Sequence, residues 1–363
     1  MKLDGFKVVD LSQFLPGPYL TLALADHGAE VIKIEPPTGD PGRGVGLSDG
    51  PDTVFFRCLN RGKSSLSLDL KAADGLARLL ELCETADVLV ESFRPGVADR
   101  LGVGYGAVRA RNPAIVYCSI SAFGQEGPYR DRPAHDLAVE AVAGLVGMNL
   151  GPDGRAALPA IPTADYLAAL NGLAAVLMAL LRRERTGLGD RIDISMHDCA
   201  IAALPNVLGP TLAHGRQPVA SEERTTGGAA FYRLYETGDG RQIALAGQEM
   251  KFVRAVLEAF GRPDLVDLCA RGPGSHQAPV ADFLQEVFAR MTLPEAEARL
   301  EGLGACFGAV KTLPEAIDDP NVLARGMIVA DGEGRRHLGS PIRFQSEPGG
   351  PKFEVPSLEA ARR

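Results

Sequence analysis

The chain alternates between short apolar runs rich in β-branched residues and segments with helical spacing of apolar residues. Runs at 6–11 and 30–35 predict strands, and residues 16–27 between them have helical periodicity. Strands at 65–70, 88–91 and 115–120, with a helix at 75–85, continue this order. A β-α-β alternation is typical of a mostly parallel sheet covered by helices. The pattern predicts an α/β fold with a large Rossmann-like domain.

The second half of the chain has a different pattern. Strand-like residues 231–236 and 242–246 are separated by TGDG, which predicts a hairpin, and helices are predicted at 251–260 and 279–291. This order indicates a smaller α+β domain. The predicted division is a large Rossmann-like domain at 1–208, a linker at 209–228 rich in Pro and Gly, the small domain at 229–312, and a C-terminal segment at 313–363 that returns to the large domain.

A strand at 191–194 and an Ala-rich helix from Met196 to about Leu208 are predicted to complete the large domain. The apolar stretch 167–181 precedes three arginines, at 182, 183 and 185. It is shorter than the roughly 20 residues that cross a bilayer. We therefore expect a buried helix here and no membrane partner.

The composition narrows the class of protein. With 45% hydrophobic and 23% charged residues, the chain has the composition of a globular protein. Its 38 Lys and Arg against 46 Asp and Glu give a net charge of −8, which argues against nucleic-acid binding. Six cysteines without CxxC spacing indicate buried thiols, and MKLDGFKVVDLS lacks the apolar run of a signal peptide. We expect a cytoplasmic protein.

Several cofactor and metal motifs are missing from the sequence. The turn after the first strand reads SQFLPGPY, without the GxGxxG of a dinucleotide site, and no GxxxxGK[ST] phosphate loop occurs. Neither HExxH nor a cluster of His and Cys supplies metal ligands. We expect no prosthetic group and no metal ion.

Three places carry candidate catalytic residues. His135 and Asp136 stand at the predicted start of a helix in DRPAHDLAVEAVAG, Asp165 stands just before an apolar helix, and Glu249 follows a strand end in the second lobe. Each has a structural alternative, since Asp at a helix start is a common cap and loop His or Glu side chains are commonly solvated. Near an apolar wall, however, the pKa of Asp165 would rise, and its carboxylate is a potential nucleophile or acid/base.

Basic residues gather in the first hundred positions, in PPTGDPGR, NRGKSS and ESFRPG. Guanidinium groups bind phosphates through paired hydrogen bonds. We therefore take Arg43, Arg61 and Arg94 as candidate contacts for a phosphate-bearing ligand.

The motifs LSQFLPGPYLTLALADHGAEVIKIEPP, LNRGKSSLSLDLK, ADVLVESFRPGVADRLG, FGQEGPY and LLRRERTGLGDRIDISMHD together resemble the family III CoA-transferase (CaiB/BaiF-type) family. The resemblance covers residues 6–199 strongly and extends into the second lobe. It implies an enzyme whose substrate is an acyl-CoA thioester, with coenzyme A as part of that substrate. It also implies a homodimer of two interlocked chains.

The resemblance leaves the reaction open between two kinds of enzyme. Transferases of this family use an aspartate, matched here by Asp165, that forms an acyl anhydride and then an aspartyl-CoA thioester. The α-methylacyl-CoA racemases have that aspartate together with a histidine and a glutamate, matched by His135 and Glu249. Because all three are present, the motifs are closest to the racemase subgroup, and a racemase acting by 1,1-proton transfer is the expected function.

Two other readings stand beside the racemase. The first is an acyl-CoA:carboxylate CoA-transferase with Asp165 as nucleophile, and the second is an inactive acyl-CoA-binding protein. The sequence YLAALNG after Asp165, and Met250 after Glu249, depart from the racemase pattern. By the resemblance, Arg43, Arg61 and Arg94 are the CoA contacts, with Arg94 matched within FRPG.

Overall fold

The computed structural model describes residues 1–151 and 153–358. The strands are β1 (Lys7–Asp10), β2 (Glu30–Glu35), β3 (Ser48–Asp49), β4 (Asp52–Thr53), β5 (Ser64–Ser67), β6 (Val88–Glu91), β7 (Val116–Ser121), β8 (Arg191–Ser195), β9 (Arg233–Glu236), β10 (Gln242–Leu245), β11 (Phe307–Ala309), β12 (Ile328–Ala330) and β13 (Arg336–Leu338). The helices are α1 (Pro16–Asp26), α2 (Val54–Asn60), α3 (Ala73–Thr85), α4 (Val97–Arg100), α5 (Tyr105–Arg111), α6 (Asp136–Val142), α7 (Leu145–Met148), α8 (Thr163–Thr186), α9 (Met196–Ala202), α10 (Gly209–His214), α11 (Met250–Ala259), α12 (Val266–Ala270), α13 (Ala278–Phe288), α14 (Leu293–Glu301), α15 (Leu313–Ile317) and α16 (Pro320–Ala324).

The chain forms two compact units. The first comprises Met1–Gly144, Pro159–Ala202 and the described residues from Asp319 onward, and the second comprises Leu145–Leu158 and Ala203–Asp318. The C-terminal segment predicted for 313–363 therefore contributes to the first unit from Asp319, and its residues 359–363 lie outside the described part of the chain.

A six-stranded parallel sheet forms the centre of the first unit, in the order β5-β2-β1-β6-β7-β8. Every residue of β6 and of β7 is buried, as expected for parallel strands covered on both faces by helices. Val9 of β1 pairs with Ile32 of β2 on one side and with Leu89 of β6 on the other. The predicted α/β fold with a Rossmann-like parallel sheet is confirmed.

The order of the strands reverses direction once. From β1 the chain moves outward through β2 to β5, and it then returns to the other side of β1 to add β6, β7 and β8. The carboxyl ends of β1 and β6 therefore flank a switch point, where the following loops separate and leave a crevice. This is the place in such a sheet where ligands bind.

Helix α8 differs from its prediction. It runs over 24 residues, Thr163–Thr186, so Asp165 belongs to its first turn and does not precede the helix. By length and composition alone it is long and apolar enough to span a membrane, unlike any other helix of the described residues. The expectation of a short, buried helix was wrong, because polar residues at both ends are also helical. Ala168 and Val176 are buried, whereas Met178 is 64% exposed.

Two further elements complete the comparison with the sequence. Helix α9 ends at Ala202, short of the predicted Leu208, because Pro205 lacks the N–H that a continuing helix needs. The predicted hairpin is confirmed, since β9 and β10 pair antiparallel with Glu236 opposite Gln242. With β11 and helices α11–α14, it forms an α+β unit around a core that includes Leu257, Leu284 and Phe288.

Candidate active site

A cleft of about 340 Å³ opens in the first unit at the switch point of the sheet. Its walls are the loops that follow β1, β6 and β7, together with the segment leading into α6 and the start of α8. Side chains from these elements include Gln13, Arg94, Phe123, His135 and Asp165. The cleft therefore brings together His135, Asp165 and Arg94, three of the residues predicted from the sequence.

Two carboxylates of α6 bind the amino-terminal end of α8. The backbone N–H of Asp165 donates to Asp136 Oδ1 at 3.1 Å, and that of Thr163 donates to Glu140 Oε1 at 2.7 Å. The first N–H groups of a helix have no partner within it, and negative charge is favourable there. Asp136 and Glu140 thus cap α8 from a neighbouring helix, and Asp165 is left free to line the cleft.

This arrangement crowds three carboxyl groups. Burial, together with the neighbouring carboxylates of Asp136 and Glu140, raises the pKa of Asp165 to about 7. Burial also raises the pKa of Asp136 to about 6, although the backbone N–H of Asp165 opposes this shift. Asp165 therefore changes between acid and carboxylate near neutral pH, and its carboxylate is more nucleophilic than that of an ordinary aspartate.

His135 occupies the N-cap position of α6, and its side chain is exposed at the cleft. Its ring lies edge-on to Phe14, with 6.2 Å between the ring centroids. Phe14 has a φ of 59°, a left-handed backbone that costs free energy for a residue with a large side chain. A strained loop after β1 thus holds an aromatic wall against His135.

A buried network of charges holds that loop from behind. Asp10, at the end of β1, accepts hydrogen bonds from the backbone N–H of Ser12 at 3.0 Å, Thr21 Oγ1 at 2.6 Å and Lys63 Nζ at 3.1 Å. Lys33 Nζ donates to the carbonyl of Ser12 at 2.9 Å. Burial would raise the pKa of Asp10, but Lys63 and Lys33 together lower it to about 2. The network fixes the backbone that leads to Gln13 and Phe14.

The three arginines predicted to contact CoA have different environments. Arg94 lines the cleft and is exposed. Arg43 donates through Nε and Nη2 to Glu35 at 2.7 and 2.6 Å and covers the ring of Phe56. Neither it nor Arg61 lines the cleft, and their predicted contacts with CoA stay a prediction.

Arg61 is only 1% exposed, and both terminal nitrogens of its guanidinium donate to the carboxylate of Asp26. Nη2 also donates to the carbonyl of Leu338 at 2.8 Å, in the C-terminal segment of the same unit. In the position observed, Arg61 therefore binds protein groups and ties that segment to the first unit.

Glu249 belongs to the second unit. It stands at the N-cap of α11 and lines a surface depression with Arg224, Tyr232 and Gln248. Its predicted catalytic role stays a prediction. Among the described residues, no group of three His, Cys, Asp or Glu side chains is arranged to hold a metal ion.

Two functional candidates, Glu140 and Arg132, were not predicted from the sequence. Glu140 follows Asp136 by four residues, a spacing that places both on one face of a helix, and this signal was available. Arg132 lines the cleft three residues before His135, in the same RDRPAHD segment, but its sequence context resembles any solvated loop. Only the fold shows that this loop and Asp165 line the same cleft.

The comparisons agree with this fold and site. The family model for CoA-transferase family III matches residues 3–362. The acetyl-CoA:oxalate CoA-transferase of Acetobacter aceti is 33% identical, over 97% of this chain and 92% of that protein. The succinyl-CoA–D-citramalate CoA-transferase of Chloroflexus aurantiacus is 30% identical, over 98% of this chain and 91% of that protein. A crystal structure of a CaiB/BaiF family protein from Brucella suis superposes with a TM-score of 0.83 at 30% identity, over 99% of this chain and 96% of that one.

The chain belongs to CoA-transferase family III, and it is an enzyme that acts on acyl-CoA thioesters. The resemblance inferred from the motifs is thereby confirmed. The choice of reaction changes, because these curated relatives are named as CoA-transferases and none supports the expected racemase. The transferase reading, held as the alternative, fits the comparisons better.

Proposed function

We propose that this enzyme transfers coenzyme A from an acyl-CoA thioester to a free carboxylic acid, with Asp165 as the nucleophile. The observation that carries the proposal is the position of the Asp165 carboxyl group, which lines the cleft with a pKa of about 7 at the switch point of the sheet. At a pH just above 7, most of the enzyme has the ionised, nucleophilic form.

The reaction begins with attack of an Asp165 carboxylate oxygen on the thioester carbonyl carbon. The carbon–sulfur bond breaks, and the products are an acyl–aspartyl anhydride and CoA thiolate. The thiolate then attacks the aspartyl carbonyl, which forms an aspartyl-CoA thioester and releases the acyl group as its carboxylate. The acceptor carboxylate reverses the two steps, so that CoA leaves on the new acid and Asp165 is regenerated. No net proton is consumed.

The residues near Asp165 have roles that are consistent with these reaction steps. Asp136 and Glu140 hold the first turn of α8 through its backbone N–H groups, so they fix the position from which Asp165 attacks. We propose that Arg94, exposed at the cleft without a carboxylate within 4.0 Å in the described residues, binds a phosphate of CoA. Arg43 and Arg61 would contact CoA only after leaving Glu35 and Asp26.

His135 supports a second candidate, the racemase. A base and an acid on opposite sides of an α-carbon exchange its proton, and His135 and Asp165 line the same cleft. In that reaction Glu249 would assist His135, as the resemblance implies. The expected interlocked dimer would bring a second chain to the site and stays a proposal in both cases.

One experiment separates the candidates. The enzyme is incubated with a 2-methylacyl-CoA in deuterium oxide, with and without a free carboxylic acid, and the thioesters and the protein are analysed by mass spectrometry. Transfer of CoA to the added acid, with a hydroxylamine-trapped adduct on the peptide that contains Asp165, is expected.

The variant Asp165→Asn is expected to give neither product nor adduct, whereas Asp136→Asn keeps the nucleophile and forms the adduct. Deuterium at the α-carbon in the absence of acid, lost in His135→Ala, would instead establish the racemase. Tight CoA binding without either reaction would contradict both candidates.

A further inference from the structure

Three arginines, Arg94, Arg130 and Arg132, line the cleft, and only one of them is paired with a carboxylate in the described residues. Arg130 donates from Nε to the carbonyl of Gln125 at 3.0 Å and from Nη1 to Asp131 at 2.9 Å. Across residues 1–151 and 153–358, no carboxylate lies within 4.0 Å of Arg94 or Arg132. The cleft thus contains two positive charges that the described chain does not compensate, and one of them, Arg94, is the proposed phosphate contact.

Two aromatic rings contact Arg132, which has no carboxylate partner among the residues that the structure describes. Its guanidinium lies 5.7 Å from the ring centroid of Phe123 and 5.2 Å from that of Tyr129. Cation–π contacts of this kind orient the planar group and leave its N–H edges available. Its backbone N–H donates to the carbonyl of Tyr129 at 2.9 Å, and Pro133 restricts the following turn.

The position of Arg132 relates it to the nucleophile. It precedes His135 by three residues, so their Cα atoms are at most about 11 Å apart. Asp136, which follows His135, accepts a hydrogen bond from the backbone N–H of Asp165 at 3.1 Å. Arg132 therefore stands on the segment that adjoins the start of α8, and its side chain lines the same cleft as Asp165.

The charge of the site adds a second constraint. Asp136, Glu140 and Asp165 make the start of α8 negative, which repels an incoming carboxylate. A guanidinium that lines the same cleft offsets this repulsion and binds a carboxylate through two parallel hydrogen bonds. A monocarboxylate needs its single carboxylate at Asp165, so only an acid with two carboxylates uses both groups.

We propose that Arg132 binds the second, non-reacting carboxylate, and that the enzyme selects small dicarboxylic acids or their mono-CoA thioesters. This inference rests on the proposed CoA transfer at Asp165. The cleft of about 340 Å³ has the size of a small-ligand pocket and suits a short acid beside the thioester end of CoA.

The test compares two acceptors of equal chain length, glutarate and pentanoate, with acetyl-CoA as the donor, because its acyl group has no second carboxylate for Arg132 to bind. Wild type is expected to prefer glutarate, and Arg132→Gln is expected to reduce the ratio of the two kcat/KM values by roughly 10- to 100-fold, the loss of a charge-assisted pair. The KM for acyl-CoA should stay unchanged. Arg130→Gln, which removes a neighbouring arginine already bound to Gln125 and Asp131, is the matched control and should keep the wild-type ratio.

Several results would overturn the inference. Equal losses for both acids would make Arg132 a general structural residue, and a raised KM for acyl-CoA would make it a phosphate contact. If wild type transfers CoA to neither acid, the proposed function fails separately. Calorimetric titration of glutarate into Asp165→Asn, with and without Arg132→Gln, then decides the inference, since binding that does not depend on Arg132 contradicts it.

Discussion

The carboxylate of Asp136, the residue after His135, accepts a hydrogen bond from the backbone N–H of Asp165. This bond fixes the position of Asp165, the proposed nucleophile. The two carboxyl groups also interact electrostatically, and each has a raised pKa. Asp136 therefore contributes both to the positioning of Asp165 and, beside burial, to its raised pKa. The same contact that orients the first turn of α8 places a negative charge where it makes the Asp165 carboxylate a stronger nucleophile.

The pH dependence of transfer tests this coupling. The pKa of Asp165 is raised to about 7, so kcat/KM should fall as the pH drops below 7 and Asp165 takes up a proton. Asp136→Asn keeps an oxygen that accepts the N–H of Asp165 but removes the charge, and the acidic limb should move to lower pH. It should remain above the range of an exposed aspartate, because burial, the largest cause, is unchanged.

A matched variant completes that experiment. Glu84→Gln removes a charge that is paired with Arg111 on the surface of the same unit, and its profile should overlay that of wild type. Because three carboxyl groups titrate together, the limb belongs to the cluster as a whole. An Asp136→Asn profile that coincides with wild type would exclude Asp136 as a contributor to the activation of Asp165.

The raised pKa of Asp165 also predicts a change in stability. A carboxyl group with a folded pKa above its unfolded value stabilises the fold when protonated, and this stability is lost as the pH rises through the folded pKa. Asp165→Asn should therefore unfold at higher urea concentration than wild type at pH 8, by an amount on the order of a few kcal/mol. The difference should shrink towards pH 5. A constant difference would mean that packing, not charge, separates the two proteins.

The sequence predicted the parallel sheet because short strand-like runs, such as VLVE in β6 and VYCSIS in β7, alternate with helical segments along the chain. It also selected His135, Asp165 and Arg94, which the cleft brings together. These predictions succeed because they depend on local patterns and on motifs within short stretches of the chain.

Other features depend on partners distant in the chain. The local sequence NRGKSS indicates a free cation at Arg61, but its partner Asp26 lies 35 residues earlier, at the end of α1. The capping of α8 by Asp136 has the same character, since 29 residues separate Asp136 from Asp165. No local pattern encodes which of several acids meets which base, because tertiary packing decides it.

Removal of either partner of the buried ion pair between Asp10 and Lys63 is expected to cause a large loss of stability. Both side chains have no exposed surface, so Lys63→Met would leave the Asp10 carboxylate with fewer neutralising contacts inside the fold. We expect destabilisation of about 3–5 kcal/mol in urea unfolding at pH 7. Adding Asp10→Asn should recover part of this loss. Arg78→Met, which breaks the exposed pair with Glu81, should cost no more than about 1 kcal/mol.

Substitution of Gly17 is expected to lower activity by shifting the loop after β1, without changing Asp165 itself. A Cβ at this position would lie 2.1 Å from Ser12 Cβ, so Gly17→Ala forces the loop after β1 to shift. Ser12 donates to Asp10 and leads directly into Gln13 and Phe14, which line the cleft. We expect Gly17→Ala to lower kcat/KM roughly 10-fold or more and stability by about 1–3 kcal/mol. Gly106→Ala is the control, since nothing lies within 4 Å of its Cβ; it should keep wild-type kcat/KM and, because Gly106 lies in α5, should not lose stability. Measured where both variants are fully folded, wild-type activity in Gly17→Ala would show that the position of this loop does not limit the reaction.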